Sequence, residues 1–353
     1  MGRVEQPTTR IVGEPERFDQ GETAFARAFR GELGDQVFLI PLDDAFQRIF
    51  IISPRPDNCL TLHMAAATDG AVNPQRVEVS DPSAMSERIK AVGRFLGADL
   101  VGISQLNQAY VYSHSMARLG GAKEGSEVEL GHRYAISIGV QMDYHKIKAS
   151  PSHIDAAEVG LAYSKVAKTV CQLAAYIREL GYPARAHHVV NEQVLHVPLA
   201  VAGGLGELGR LGFLMTKEFG PRLRLGTVTT DLPLAPDKPV DIGIQDLCEK
   251  CKKCATNCPS RSIPTEGKTT VRGAKKWQIR PESCFRFWHS NPEKHSACSV
   301  CIKVCPWNKP DRWYHVAAAW AASNSSLART VLLWLDDLLY GKRPSYKVKW
   351  LNY

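Results

Sequence analysis

No apolar run in this chain of 353 residues reaches the roughly 18 to 20 needed to cross a bilayer, which excludes a spanning helix. Its start, "MGRVEQPTTR", has neither the apolar stretch of a secretory signal nor a twin-arginine pair. As it stands the sequence therefore reads as cytoplasmic. Apolar residues at 44% and charged residues at 23% exclude a disordered chain. The length suits one large or two modest domains. Thiols are scarce over most of the sequence: only Cys59 and Cys171 lie outside a block, Cys248 to Cys305, that holds the other eight. A disulfide framework of the kind found in small secreted domains is excluded by that distribution.

What the block contains is a spacing. "CEKCKKCATNCP" supplies Cys248, Cys251, Cys254 and Cys258, followed by Pro259. "CSVCIKVCP" supplies Cys298, Cys301 and Cys305, followed by Pro306, with Cys284 upstream and thirteen residues between it and Cys298. C-x2-C-x2-C-x3-C-P is the bacterial ferredoxin signature for [4Fe–4S] clusters. Three thiolates on one tight turn grip three corners of a cubane, and the fourth, held away by the proline-ended segment, reaches the neighbouring cluster. Cluster one then takes Cys248, Cys251, Cys254 and Cys305; cluster two takes Cys258, Cys284, Cys298 and Cys301. Structural zinc needs C-x2-C pairs but not a third cysteine two residues further on.

The net charge of +8 is uneven: between Cys248 and Arg280 nine Lys or Arg face two Glu. Such a stretch is a solvated basic loop, a counterweight to a buried anionic centre, or a dock for an acidic partner.

Ahead of the block, strand and helix patterns alternate, which favours an α/β (α+β) domain. "QVFLIPL" and "IFIIS" are short apolar runs expected as strands, as are "DLVGIS" and "YAISIGVQM". Ser80 to Ser83 supply cap candidates, and Pro82 suits the first turn, of a helix whose stripe is Met85, Ile89, Val92 and Leu96, ended by Gly97. A longer helix carries Val159, Tyr163, Val166, Val170, Leu173 and Ile177, stopped by Gly181. Cys171 on it reads as a buried apolar residue. "PRLRLGTVTTDLPL" alternates as a strand, with Arg222 and Arg224 on one face. The expected divisions are an N-terminal arm (1–35), a cofactor and substrate domain (36–237), a two-cluster ferredoxin-type domain (238–312) and a helical tail packing on the body (313–353). Two adjacent clusters form a wire, and the large front domain should hold what lies at its end.

Several stretches resemble the corrinoid-dependent reductive dehalogenases and, more distantly, the epoxyqueuosine reductases. They are "ERFDQGETAFARAF", "MSERIKAVGRFLGADLVGI", "MDYHKIKASPS", "AYSKVA", "PLAVAGGLGELGRLGFLMTKEFGPRLRLGTVTTDLPLAPDKP", "FRFW", "CSVCIKVCPWNKP" and "LLYGKRP". The resemblance implies a nitroreductase-like domain holding base-off cobalamin beside a ferredoxin-like domain; no D-x-H-x-x-G corrinoid-ligating motif occurs, in agreement. It implies that Tyr163 is the proton donor, that Asn191 of "VVNEQ" and Arg224 line the substrate pocket, and that the reaction is R–X + 2e⁻ + H⁺ → R–H + X⁻. A guanidinium beside a phenol would ready it to donate, and would steady the departing halide. Gly203, Gly204, Gly206 and Gly209 are where backbone could approach a flat cofactor closely. The implied partners are an organohalide and a low-potential electron donor of quinone-linked, ferredoxin or flavodoxin type, without nucleic acid. A small membrane anchor subunit applies if the protein is respiratory, and the outer face of the cytoplasmic membrane if a twin-arginine leader has been removed. Two other readings use the same clusters: an epoxyqueuosine reductase, for which the basic stretch would contact tRNA, and a non-catalytic electron carrier.

Overall fold

Four alternating segments form one antiparallel sheet in the computed structural model, which describes residues 2–34, 64–116, 125–290 and 298–342. Strands β1 (Leu100–Gln105), β2 (Tyr134–Gln141), β3 (Ala184–His187) and β4 (Leu223–Thr230) lie in the order β1–β2–β4–β3. The expected strands "QVFLIPL" and "IFIIS", and Cys59, lie outside the described residues.

Period-two alternation sends Val101, Ile103, Ile136, Ile138 and Val228 to one face, where they meet Val166, Val170, Leu173 and Ile177 of the long helix, His153–Glu179. That helix starts at a reciprocal cap between Ser152 and Asp155 and stops before Gly181, whose φ of +84° suits glycine. It runs so close to β4 that a side-chain carbon on Gly226 would stand 2.5 Å from Val166. Cys171 is buried in this core, which pushes its thiol up to about 11. The helix Pro82–Phe95 is capped by Asp81, and Met85 and Ile89 enter the same core.

Strand–helix–strand alternation therefore holds locally, because β2, the long helix and β3 form a crossover between parallel strands. β4, from later in the chain, is antiparallel to both and sits between them. The result is a split β–α–β unit, the α+β form of the architecture.

The reverse face of the sheet is polar. His187 Nε2 and His132 Nδ1 share Thr229 Oγ1 at 2.9 and 2.8 Å, and His196 Nδ1 lies 2.9 Å from Thr227 Oγ1. The hydroxyls of Ser104 and Ser137 on this face are buried without a hydrogen-bond partner.

The N-terminal arm wraps both halves. Gly2–Arg3 pairs with Val240–Asp241, Val12 N–H reaches Gly273 O at 2.6 Å, and Arg17 donates to the Tyr112 and Val128 carbonyls at 2.6 Å. The change in sequence character near Lys238 follows Asp237, whose carboxylate accepts from Ile103 N at 2.9 Å and Lys90 Nζ at 2.6 Å.

The tail forms a helical hairpin, Trp313–Asn324 and Ser326–Tyr340. Leu332, Leu333 and Ala322 pack on the cluster core, while Trp313, Trp320, Trp334 and Leu338 point outward and stay exposed. Asp336 anchors it: buried, its carboxylate bridges the ammonium groups of Lys253 and Lys309. Asp336→Asn leaves buried Lys253 with Asp337 alone and takes the carboxylate from half-buried Lys309, and is expected to cost on the order of 3 kcal/mol. Chemical denaturation followed by near-UV dichroism measures the loss; unchanged stability would remove the bridge from the fold's support.

Candidate cluster and substrate site

Two short helices deliver the first cysteines. Ile244–Cys251 begins where the buried carboxylate of Glu207 accepts Ile242 N–H at 2.8 Å and Ile244 N–H at 3.0 Å. Lys252 then takes a left-handed conformation (φ +54°), and the chain resumes as the helix Lys253–Thr256. That break turns Cys248, Cys251 and Cys254 around one cavity, and Cys305, from the turn after the helix Val300–Lys303, completes its wall.

Burial pushes the Cys248 thiol up to about 12 and raises Cys251, Cys254 and Cys305; nearby thiols of the same group raise Cys248, Cys254 and Cys305 further. The second group behaves alike. Burial, then proximity to Cys284 and Cys258, takes Cys298 up to about 12 and raises Cys301 strongly; burial and Cys258 take Cys284 to about 11. Cys284 thus lies near Cys258, Cys298 and Cys301, while Cys254 also feels Cys301 across the divide between the groups.

All nine described cysteines are free thiols. Among the described residues no three His, Cys, Asp or Glu side chains gather as one metal ion requires. Crowded, buried thiols that resist ionisation on their own become stable thiolates only beside positive charge. Thiols spread around a cavity fit a cubane, with iron at alternate corners, better than a single tetrahedral zinc. Iron analysis of anaerobically prepared protein should return about eight irons per chain, and Cys284→Ala about half that number. Zinc in place of iron contradicts the assignment.

Sequence reasoning passed over Arg210. Its side chain is fully buried, with Nε donating to Cys248 O at 3.0 Å and Nη1 to the Pro264 and Glu266 carbonyls at 2.9 and 2.8 Å. Nη2 is buried with no hydrogen-bond partner, and the nearest carboxylate, Glu249, is 3.9 Å away and half exposed. The guanidinium lines the cavity of the first four cysteines and lies over the Trp277 ring at 4.6 Å. A buried cation without a close anion is costly, and an anionic cluster is what the fold lacks there. The signal was available: two charged residues, Glu207 and Arg210, inside the otherwise apolar, glycine-rich run "GGLGELGRLG".

The residues that resemblance assigned to chemistry divide. Tyr163 and Arg224 come together, the guanidinium carbon 5.1 Å from the ring centroid. Arg224 Nη1 donates to Leu223 O at 3.2 Å, and its Nε is buried without an acceptor. Asn191 has its amide committed elsewhere. It donates to Ala65 O at 3.1 Å and Thr68 Oγ1 at 2.9 Å, and accepts from Arg185 at 2.8 Å.

At the four glycines the close approach is of chain against chain. A side-chain carbon on Gly204 would stand 2.5 Å from Lys238 O, on Gly206 2.1 Å from Met215 O, and on Gly209 2.6 Å from the Met215 side chain. Gly203 lies against Gly102, two residues from Ser104 on the polar sheet face.

One segment joins the two regions. Arg222, just before β4, donates from Nε to Asn308 Oδ1 at 3.0 Å, and Asn308 N–H reaches Cys305 O at 3.0 Å. Trp307 Nε1 donates to Lys217 O at 3.3 Å, and Gly220 leaves room for the Trp307 carbonyl. The strand end that carries Arg224 to Tyr163 is thus bolted to the turn that carries Cys305.

Residues 247–309 match the family model of the 4Fe-4S dicluster domain. The chain is 32% identical over 307 residues to the tetrachloroethene reductive dehalogenase of Sulfurospirillum multivorans, covering 77% of this chain and 60% of that protein. To a tetrachloroethene reductive dehalogenase of Desulfitobacterium hafniense it is 37% identical over 278 residues, covering 66% and 50%. The structure superimposes on the catabolic reductive dehalogenase NpRdhA in complex with 3-bromo-4-hydroxybenzoic acid with a TM-score of 0.87 and 30% identity, over 96% of this chain and 49% of that one. The epoxyqueuosine reductase of Vibrio cholerae is similar over a shorter stretch, 31% identical across 135 residues. The chain spans about half to three-fifths of the length of these dehalogenases.

Proposed function

Taking as premise that the chain is a homologue of the reductive dehalogenases, we propose that it removes halide from an organohalide, R–X + 2e⁻ + H⁺ → R–H + X⁻, with electrons passing through cluster two and cluster one. The observation that carries this reading is the bolt at residues 217–224. It ties the ligand turn of cluster one to the pair Tyr163–Arg224, so reducing equivalents and a proton source converge on one strand end. Cobalamin, when bound, would supply the two-electron reductant, as in the B12-dependent dehalogenation described for one solved relative. The residues suited to hold it are Ser104 and Ser137, whose buried hydroxyls have no other partner, beside the Gly102–Gly203 contact.

Tyr163 holds the proton at its phenol oxygen. Arg224 lies over the ring, steadies its orientation, and offers its unpaired Nε–H to the leaving halide. Asn191 shapes the pocket wall by fixing residues 65–68 through its amide. Anaerobic reconstitution with iron, sulfide and hydroxocobalamin, followed by optical and paramagnetic spectra, tests the reading. One corrinoid per chain with halide release from an organohalide supports it. Intact clusters without corrinoid uptake make the chain an electron carrier, and tight salt-sensitive tRNA binding makes it an epoxyqueuosine reductase relative. Among the described residues no helix is long and apolar enough to cross a membrane.

A further inference from the structure

The two clusters are not equally hidden. Cys248, Cys254 and Cys305 of cluster one are buried, whereas all four ligands of cluster two, Cys258, Cys284, Cys298 and Cys301, keep partial exposure. An open depression on that side has Ser260 and Ser283 in its floor and Arg261, Arg280 and Arg286 on its rim, all three exposed.

The floor leads directly to cluster two. Ser260 Oγ is 3.4 Å from Cys258 Sγ and 2.6 Å from Ser262 Oγ, which is 2.7 Å from Ser283 Oγ, the neighbour of Cys284. The rim is built to stay in place. Arg261 sits in a left-handed turn (φ +51°) whose N–H reaches Cys258 O at 3.1 Å, and Arg280 donates to Arg261 O at 2.5 Å. The one acid lining the depression, Glu282, is paired with Arg27 at 2.9 Å, and Arg280 spends its hydrogen bond on a neutral carbonyl, so the rim keeps positive charge.

We propose that this depression docks a carrier protein whose low-potential, one-electron centre is ringed by Asp and Glu, and that electrons enter cluster two there. The inference rests on reading the chain as a two-cluster reductive dehalogenase and names its electron donor by surface chemistry. At each encounter the carrier's centre loses one electron and cluster two gains one, with no bond made or broken. Two encounters supply the pair that R–X consumes. An acidic rim facing three arginines speeds association and aligns the two centres across the serine floor. RNA phosphates would also meet three arginines, but they have no use for a floor lined by cluster ligands.

The test is stopped-flow reduction of the reconstituted two-cluster protein by two probes, a reduced plant-type [2Fe–2S] ferredoxin, which is acidic, and the reduced methyl viologen cation. With ferredoxin, the rate is expected to fall about tenfold or more between about 20 mM and about 300 mM salt. The variant R261Q/R280Q/R286Q should be about tenfold slower at low salt and indifferent to salt, with the viologen rate unchanged. Equal ferredoxin rates in both proteins overturn the proposal. So does an equal loss with both probes, which would mean that the arginines support the cluster itself, and so does tRNA stem-loop binding lost in the variant while ferredoxin reduction is kept. Because the readout is cluster reduction, failure to dehalogenate any organohalide would strike the proposed function and leave the dock standing.

Discussion

Tyr163→Phe is expected to lower halide release by about 10² to 10⁴, the usual contribution of a positioned proton donor, while cluster and corrinoid spectra stay as they are. The substitution removes one oxygen and keeps the ring, so the stacking of Arg224 at 5.1 Å survives and the half-buried helix position stays filled. A phenylalanine cannot deliver the proton that R–H requires. The ratio of product to electrons consumed identifies the defect, because cluster reduction should proceed while turnover stops. Arg224→Lys keeps the charge but not the planar contact with the ring, and should fall between the two proteins. Activity of Tyr163→Phe within about threefold of the parent would take the tyrosine out of the proton step, whatever its neighbour does.

Arg210→Met should make cluster one harder to reduce by on the order of 100 mV. The arginine is a full charge buried against the backbone of Cys248, with one N–H aimed at no protein acceptor. One electron added to a cluster beside it is stabilised by about 2 kcal/mol at the effective dielectric of such sites, and that figure converts to about 90 mV. The sign follows from charge: removing a cation favours the oxidised, less negative cluster. Arg210→Met also leaves three backbone carbonyls without their donor. Arg210→Lys is the control, since it keeps the charge and should stay within about 30 mV of the parent. A redox titration followed by paramagnetic resonance separates the two clusters; equal midpoint potentials in all three proteins would make Arg210 a purely structural post.

The cysteine grouping was legible because ligand spacing is a local property: a cubane fixes how far apart its thiolates stand along a turn. Even the displaced Cys284 followed from counting four ligands per cluster. Tyr163 and Arg224 were readable as a pair only through resemblance, since an apolar helix stripe and an alternating strand say nothing about which residues meet. The antiparallel insertion of β4 between β2 and β3 was not readable. Strand order depends on pairings across more than eighty residues, from Ile138 to Gly226, that no local period encodes. Glycine was the least informative residue. The run from Gly203 to Gly209 is a place of close approach, but the partners are Met215, Lys238 and Gly102 of the same chain. Arg210 and Glu207 lie within and just after that run and were passed over, although a buried charge among glycines is the rarer event. Both turn out to brace the helix of Cys248, one at its start and one at its carbonyl.

Lys253, between the second and third thiols of the first run, is held by Asp336 and Asp337, more than eighty residues later. Metal loading and folding of the hairpin over residues 313–340 are therefore linked events. Whatever machinery hands over iron and sulfide must reach the cage before the terminal hairpin swings in and latches it, or must pry the latch open afterwards. Oxygen faces the same door, so shortening the hairpin should ease assembly and hasten oxidative decay together.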